Sequence, residues 1–462
     1  MNQLKRLESG IHGLDTLLKG GLIAGSSYII QGRPGSGKTI LANQIGFNHV
    51  KSGGRVLFAT LLAEPHDRLF QFLSTLAFYD KSQVGQAIQF VSAFDTLEND
   101  GLSEVVKLLR REITRQKSSL LVLDGLLNAR SRAESPLDTK QFISELQGHA
   151  AFAGCTVLFL TSSQLDDGSP EHTMVDGVIE MGEEYLGSRP VRRIKLRKTR
   201  GSAAISGAHE FEIDGRGISI YPKVETVLGA PLPMDSDHLE FITSGMPSLD
   251  TRIGGGLAAS SVTLVMGPSG AGKTSMGIQF LQASTPQEPG LYFGFHESPQ
   301  RVKLKASALG HDLKSLEASG ALHVEWNAPA CSLVDRIAYQ LLDIVEQRQI
   351  KRVFIDSLVA MARTAADQTR VLDIFTAVLG ELRSRGITVM ASWEVPRLIS
   401  DRLNLTGPDV SGVVDNLMLV QFGYKGTELQ RQLAILKVRD SAYDPSLLEL
   451  VMDSTGITVG KA

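Results

Sequence analysis

The sequence predicts an α/β protein of two tandem domains, each a mostly parallel twisted sheet flanked by helices. Three observations carry that expectation. The 462-residue chain repeats itself, since Ser9-Gly-Ile-His-Gly-Leu-Asp15 recurs as Ser244-Gly-Met-Pro-Ser-Leu-Asp250, 235 residues further on. A glycine-rich run starting at Gly32 recurs at the same offset from Gly267. Short β-rich runs alternate with longer helix-compatible segments, the βαβ pattern of a parallel sheet covered on both faces.

The repeat sets the boundaries: a first domain over 1–222, a linker over 223–238 and a second domain over 239–462. The stretch from Lys223 to Asp237 has two prolines and no helical periodicity, which reads as a linker. In the first copy Ser27–Gln31, Val56–Thr60, Leu120–Leu123 and Thr156–Leu160 are the expected strands.

Composition narrows the function. Hydrophobic residues make up 42% and charged residues 21%, enough apolar material for a core in each half. The net charge of −3 provides no excess positive charge to hold a phosphate backbone, so nucleic acid is not the expected partner. The two cysteines, Cys155 and Cys331, lie in or beside apolar segments and read as buried thiols in a reducing compartment. The N-terminus lacks the apolar run of a secretory signal and no segment is apolar enough to span a membrane, so the expected location is the cytoplasm.

Gly32-Arg-Pro-Gly35-Ser36-Gly37-Lys38-Thr39 and Gly267-Pro-Ser-Gly270-Ala271-Gly272-Lys273-Thr274 both fit the G-x-x-x-x-G-K-[ST] phosphate loop. The glycines let backbone N–H groups close around an anion at a helix N-terminus. Lys38 and Lys273 are then expected to reach the β and γ phosphates of ATP, and Thr39 and Thr274 to ligate Mg²⁺. Two matches in register make accident negligible. Each Mg²⁺ site needs a carboxylate at a strand end, and Leu120-Leu-Val-Leu-Asp124 and Arg352-Val-Phe-Ile-Asp356 supply Asp124 and Asp356.

Hydrolysis also needs a base for the attacking water. In the second copy the apolar run Leu291–Phe295 leads into His296-Glu297-Ser298-Pro299, which puts Glu297 where open α/β sheets bind ligands. Aligning Pro65 with Pro299 places Leu62 and Ala63 opposite His296 and Glu297, with Glu64 opposite Ser298. The first site therefore lacks a carboxylate at the expected position.

With these pieces in place, the chain resembles the KaiC family of double-domain RecA-like ATPases over essentially its whole length. The tandem Ser-Gly-x-x-x-Leu-Asp openings, paired P-loops and Walker B strands carry the resemblance, together with the late strands containing Lys198 and Arg200, and Lys437 and Arg439. It implies two tandem RecA-like P-loop NTPase domains in a two-tiered homohexamer. In that family the Lys-x-Arg pairs reach the nucleotide of the neighbouring subunit. The resemblance also implies autophosphorylation in the second domain, on Ser411 with Thr406 as a further acceptor, and His296 stands where the family has the first of two glutamates.

Three departures bear on activity: Leu62-Ala63 replaces the glutamate pair of the first domain, Gly412 replaces one phosphoacceptor, and no long C-terminal tail is expected beyond Ala462. They point away from a circadian oscillator. The expectation is an ATP-binding and ATP-hydrolysing hexameric signalling protein with a serine/threonine autokinase as a further activity, its protein partner unspecified. A DNA-dependent RecA or helicase-type motor and a non-catalytic platform switched by ATP binding stay open as alternatives.

Overall fold

Apolar runs long enough for one strand and buried on both faces build the centre of each domain. Leu120–Asp124, for instance, is buried along its length up to the half-buried Asp124. The computed structural model describes residues 4–63, 66–133, 135–162, 169–186, 189–229, 240–328, 333–395, 410–439 and 441–461.

In the first domain the strands are β1 (Ser27–Gln31), β2 (Val56–Thr60), β3 (Ile88–Ser92), β4 (Leu120–Asp124), β5 (Thr156–Thr161), β6 (Gly177–Leu186), β7 (Arg189–Thr199), β8 (Ala208–Asp214) and β9 (Gly217–Tyr221). They form one sheet in the order β3-β2-β4-β5-β1-β6-β7-β8-β9. Strands β3 through β6 in that order run parallel, and β7 to β9 continue the sheet as antiparallel ribbons.

The second domain repeats this with β10 (Val262–Gly267), β11 (Gly290–Gly294), β12 (Leu322–Trp326), β13 (Arg352–Asp356), β14 (Thr388–Glu394), β15 (Asn416–Lys425), β16 (Glu428–Val438), β17 (Leu448–Asp453) and β18 (Gly456–Lys461). Its order, β12-β11-β13-β14-β10-β15-β16-β17-β18, is the same topology strand for strand. The duplication read from the sequence is a duplication of fold.

Alternation along the strands divides each core into two layers. Ile30, Phe58, Val122 and Leu160 face one layer of the first domain, while Ile29, Leu57, Leu121 and Phe159 face the other. Helices close both layers. Val334–Gln347 turns Ile337, Ala338, Leu341, Leu342 and Val345 inward at helical spacing. Gly267, at the end of β10, admits the backbone of β15, because a Cβ there would stand 2.3 Å from the Val420 carbonyl oxygen.

The chain divides into two compact units, Met1–Lys223 and Val224–Ala462. The start of the segment expected to be a linker is folded. Val224–Val227 is a helical turn, with Val224 fully buried in the core of the second unit. The Val224 N–H donates to Asp335 Oδ1 at 3.0 Å, and Arg370 donates to Glu225 at 2.8 and 2.9 Å and to Asp335 at 2.9 and 3.1 Å. Burial raises the pKa of Asp335 and the arginine opposes that shift. Four residues are too few to show a periodicity, so sequence pattern could not reveal this turn. Residues 230–239 lie outside the described residues.

Among the described residues no helix is long and apolar enough to cross a membrane. Cys155 is a fully buried free thiol whose pKa is pushed up by burial to about 12; Cys331 lies outside the described residues. In a Cys331→Ser variant the remaining thiol should therefore resist alkylation at pH 8, where its thiolate fraction is ~10⁻⁴, and react fully once unfolded. Rapid labelling of the native variant, followed by mass spectrometry, would contradict this burial.

Candidate functional site

Each phosphate loop joins the central strand to a helix: β1 leads through residues 32–37 into Lys38–Lys51, and β10 leads into Lys273–Leu281. Gly37 and Gly272 sit at φ +98° and +114°, a conformation that side chains disfavour and that turns the loop into the helix. Lys38 Nζ donates to the carbonyls of Gly32 and Arg33 at 2.8 and 3.0 Å. Lys273 Nζ does the same to Gly267 and Pro268 at 2.7 and 2.6 Å. Burial lowers both lysine pKa values; Asp124 opposes the shift in the first site, and Glu394 and Asp356 oppose it in the second.

The second site gathers side chains from the ends of three adjacent strands. Asp356 Oδ2 accepts from Thr274 Oγ1 and from the Tyr292 hydroxyl, each at 2.8 Å, and Oδ1 accepts from Ser392 Oγ at 2.5 Å. Burial, then Asp356, pushes the Tyr292 phenol far up, so it stays protonated and donating. Thr274, Asp356 and Ser392 open on a pocket of about 520 Å³. Gly270, Gly272, Lys273 and Thr274 line it from the loop, and His296, Glu297, Lys305 and Glu394 line it from the facing side.

The described residues hold no cluster of three or more His, Cys, Asp or Glu able to cage a metal. A Thr hydroxyl beside one carboxylate instead suits Mg²⁺, which prefers oxygen ligands and usually shares them with substrate phosphates.

The first site has the same skeleton and different lining. In strand register Phe58 stands where Tyr292 does, and Leu160 where Ser392 does. Thr39 and Asp124 border a mainly apolar cavity of about 150 Å³ whose walls include Phe58, Leu62, Leu69, Phe90, Val122 and Leu160. Leu62 and Ala63 occupy the segment that carries His296 and Glu297 in the second domain. Glu64 lies outside the described residues.

The late basic pairs stand apart from these pockets, since neither lines the pocket beside its own phosphate loop. Lys198 Nζ donates to the His172 carbonyl at 2.6 Å and Lys437 Nζ to the Ser411 carbonyl at 2.8 Å, positions one repeat apart. Arg200 donates to the Thr173 carbonyl at 3.2 Å, and Arg439 to Asp415 at 3.0 Å. Ser411 is exposed in the 3₁₀ turn Val410–Gly412; Thr406 lies outside the described residues. Sequence reasoning missed Tyr292, Ser392, Lys305 and Glu394. The one available signal for the first two was their replacement by Phe58 and Leu160 in the other copy.

A family model described as "ATPase: KaiC" matches residues 7–225 and again residues 242–462. The chain belongs to the KaiC family. KaiC membership makes it a P-loop ATPase, of a family that binds ATP. It is similar to the circadian clock oscillator protein KaiC of Picosynechococcus sp., 24% identical over 99% of this chain and 90% of that relative. It is also similar to the circadian clock protein KaiC3 of Synechocystis sp., at 25% over 99% and 92%, and to KaiC of Thermosynechococcus vestitus, at 25% over 99% and 89%.

Tyr292→Phe removes one of the three hydroxyls on Asp356 while keeping a ring that the first KaiC domain already holds as Phe58. With Asp356 holding Mg²⁺, as the Thr274 hydroxyl beside it suits, the variant should raise the Mg²⁺ concentration for half-maximal ATP hydrolysis by about 10-fold, the expected effect of losing a partner that orients the carboxylate. An unchanged Mg²⁺ titration would show that Tyr292 only packs.

Proposed function

We propose that this chain is a hexameric ATPase in which the second domain hydrolyses ATP and the first mainly holds it and assembles the ring. The observation that carries the reading is the gathering of Glu297, Asp356, Thr274 and Lys273 around one pocket, against Leu62 and an apolar wall in the first domain.

In the second site the loop N–H groups and Lys273 would bind the β and γ phosphates, and Thr274 and Asp356 would hold Mg²⁺. Bound there, the ion would neutralise charge developing on the phosphate oxygens. Tyr292 and Ser392 keep the Asp356 carboxylate in one orientation, and Glu297 takes the proton of the attacking water. In the first site Lys38, Thr39 and Asp124 suffice to bind the nucleotide, while Leu62 and Ala63 supply no acceptor for that proton.

Assembly is proposed as in the KaiC relatives, with Lys198, Arg200, Lys437 and Arg439 meeting the nucleotide of the next subunit. The groups they hold in the single chain, backbone carbonyls and, for Arg439, the Asp415 carboxylate, lie on the segments before β6 and β15, away from their own loops, which supports this reading.

Glu297→Gln should reduce phosphate release by about 10²-fold or more, within the range of a general base. Ala63→Ser, at the corresponding place in the first domain, should leave the rate within about 2-fold, and single-stranded DNA should not stimulate it. Retained turnover in Glu297→Gln would move the base elsewhere, and stimulation by DNA would favour a DNA-dependent motor.

A kinase activity on Ser411 is the second reading, supported by its exposure in the turn that Lys437 holds. The acceptor oxygen would attack the γ-phosphorus of ATP held by a neighbouring subunit, the bond to the β,γ-bridging oxygen breaking and its electron pair leaving on ADP, with His296 taking the hydroxyl proton. Positioning carries most of the rate of such a transfer. Intact-mass spectrometry after incubation with Mg²⁺ and ATP should show one added phosphate that a Ser411→Ala, Thr406→Ala double variant lacks. An unmodified wild type leaves a plain ATPase.

A further inference from the structure

Glu297 does not stand alone at the wall of the second pocket. Its Oε1 lies 2.5 Å from Lys305 Nζ, on the helix Pro299–Ala308 that follows it. Both side chains line the same pocket as Lys273, Thr274 and Asp356. The other carboxylate oxygen, Oε2, is buried and has no hydrogen-bond partner among the described residues.

Two considerations say that this pair serves the site and not the fold. Partly exposed ion pairs, here with side chains 35% and 26% accessible, contribute little to stability. The duplicated domain offers an independent observation: Ala63 and Gln71 stand where the second has Glu297 and Lys305, so the acid and the cation are absent together.

We propose that Lys305 is a positioning residue, which holds the Glu297 carboxylate at the wall of the second pocket for the attacking water. The proposal rests on the reading of Glu297 as the base. As the water oxygen bonds to the γ-phosphorus, one water proton passes to the Glu297 carboxylate. The bond from that phosphorus to the β,γ-bridging oxygen breaks, and its electron pair leaves on ADP. Glu297 then releases the proton to solvent, giving ADP and inorganic phosphate.

Lys305 acts through Glu297 in this scheme, so its effect should vanish when Glu297 is already disabled. The test measures kcat, KM and the affinity for a fluorescent ATP analogue in Lys305→Met, Lys305→Arg, Glu297→Gln and the Glu297→Gln, Lys305→Met double variant. Lys305→Met should lower kcat about 10-fold with nucleotide affinity within about 2-fold, the cost of a misplaced base. Lys305→Arg should restore most of the rate, and the double variant should match Glu297→Gln alone.

Weakened nucleotide binding with unchanged kcat in Lys305→Met would make Lys305 a phosphate contact and overturn the proposal. Multiplying losses in the double variant would overturn it too, because the two residues would then act separately. Full activity in Lys305→Met beside an inactive Glu297→Gln sinks the positioning role and spares the base. Full activity in Glu297→Gln removes the base, and the proposal with it.

Discussion

A carboxylate carried to the end of a buried parallel sheet has to be met by donors, because a desolvated charge left without hydrogen bonds is unfavourable. The second domain satisfies this at Asp356 with three hydroxyls, drawn from the phosphate loop and from the strands on either side. That convergence depends on β11, β13 and β14 being parallel neighbours whose C-terminal ends fall at one level. The same requirement recurs in the helical layer, where Asp335 is met by Arg370 and the Val224 N–H. Sheet topology and site chemistry are in this sense one constraint.

The two domains separate what the fold dictates from what it permits. Strand order, loop geometry, the buried lysine and the strand-end aspartate are common to both. What differs is the lining: Phe58 against Tyr292, Leu160 against Ser392, Ala63 against Glu297 and Gln71 against Lys305. The two strand exchanges leave the register intact, since each replaces a side chain on a face that the backbone already fixes, and the other two fall on the segment and helix that follow the strand. A duplicated scaffold can thus hold a polar pocket in one copy and an apolar one in the other.

Features local in the chain were the legible ones. Gly32 to Thr39 and Gly267 to Thr274 announce themselves because a phosphate is wrapped by consecutive backbone N–H groups, so the requirement is written within eight residues. Asp124 and Asp356 were found because each ends an unbroken apolar run. Tyr292 and Ser392 were not, since they reach Asp356 across 64 and 36 residues of chain and look individually like ordinary strand residues. Lys305 was hidden for another reason: a lysine on a short helix reads as a solvated face until its partner is seen. The turn at Val224 escaped because its burial is decided by Asp335 and Arg370, more than a hundred residues downstream.

The retraction of Lys38 and Lys273 onto carbonyls of their own loops bears on how a nucleotide arrives. Each ammonium is largely buried and already solvated by peptide dipoles, so little of its charge is projected outward. With a net charge of −3 on the chain, a polyanion approaching from solution meets no strong long-range attraction. On the proposed assignment of these lysines to the phosphates, capture would depend on short-range exchange, the phosphate oxygens displacing loop carbonyls from the lysine after the encounter has occurred. The association rate of such a site should respond only weakly to ionic strength, and its discrimination among anions should come from the geometry of the loop.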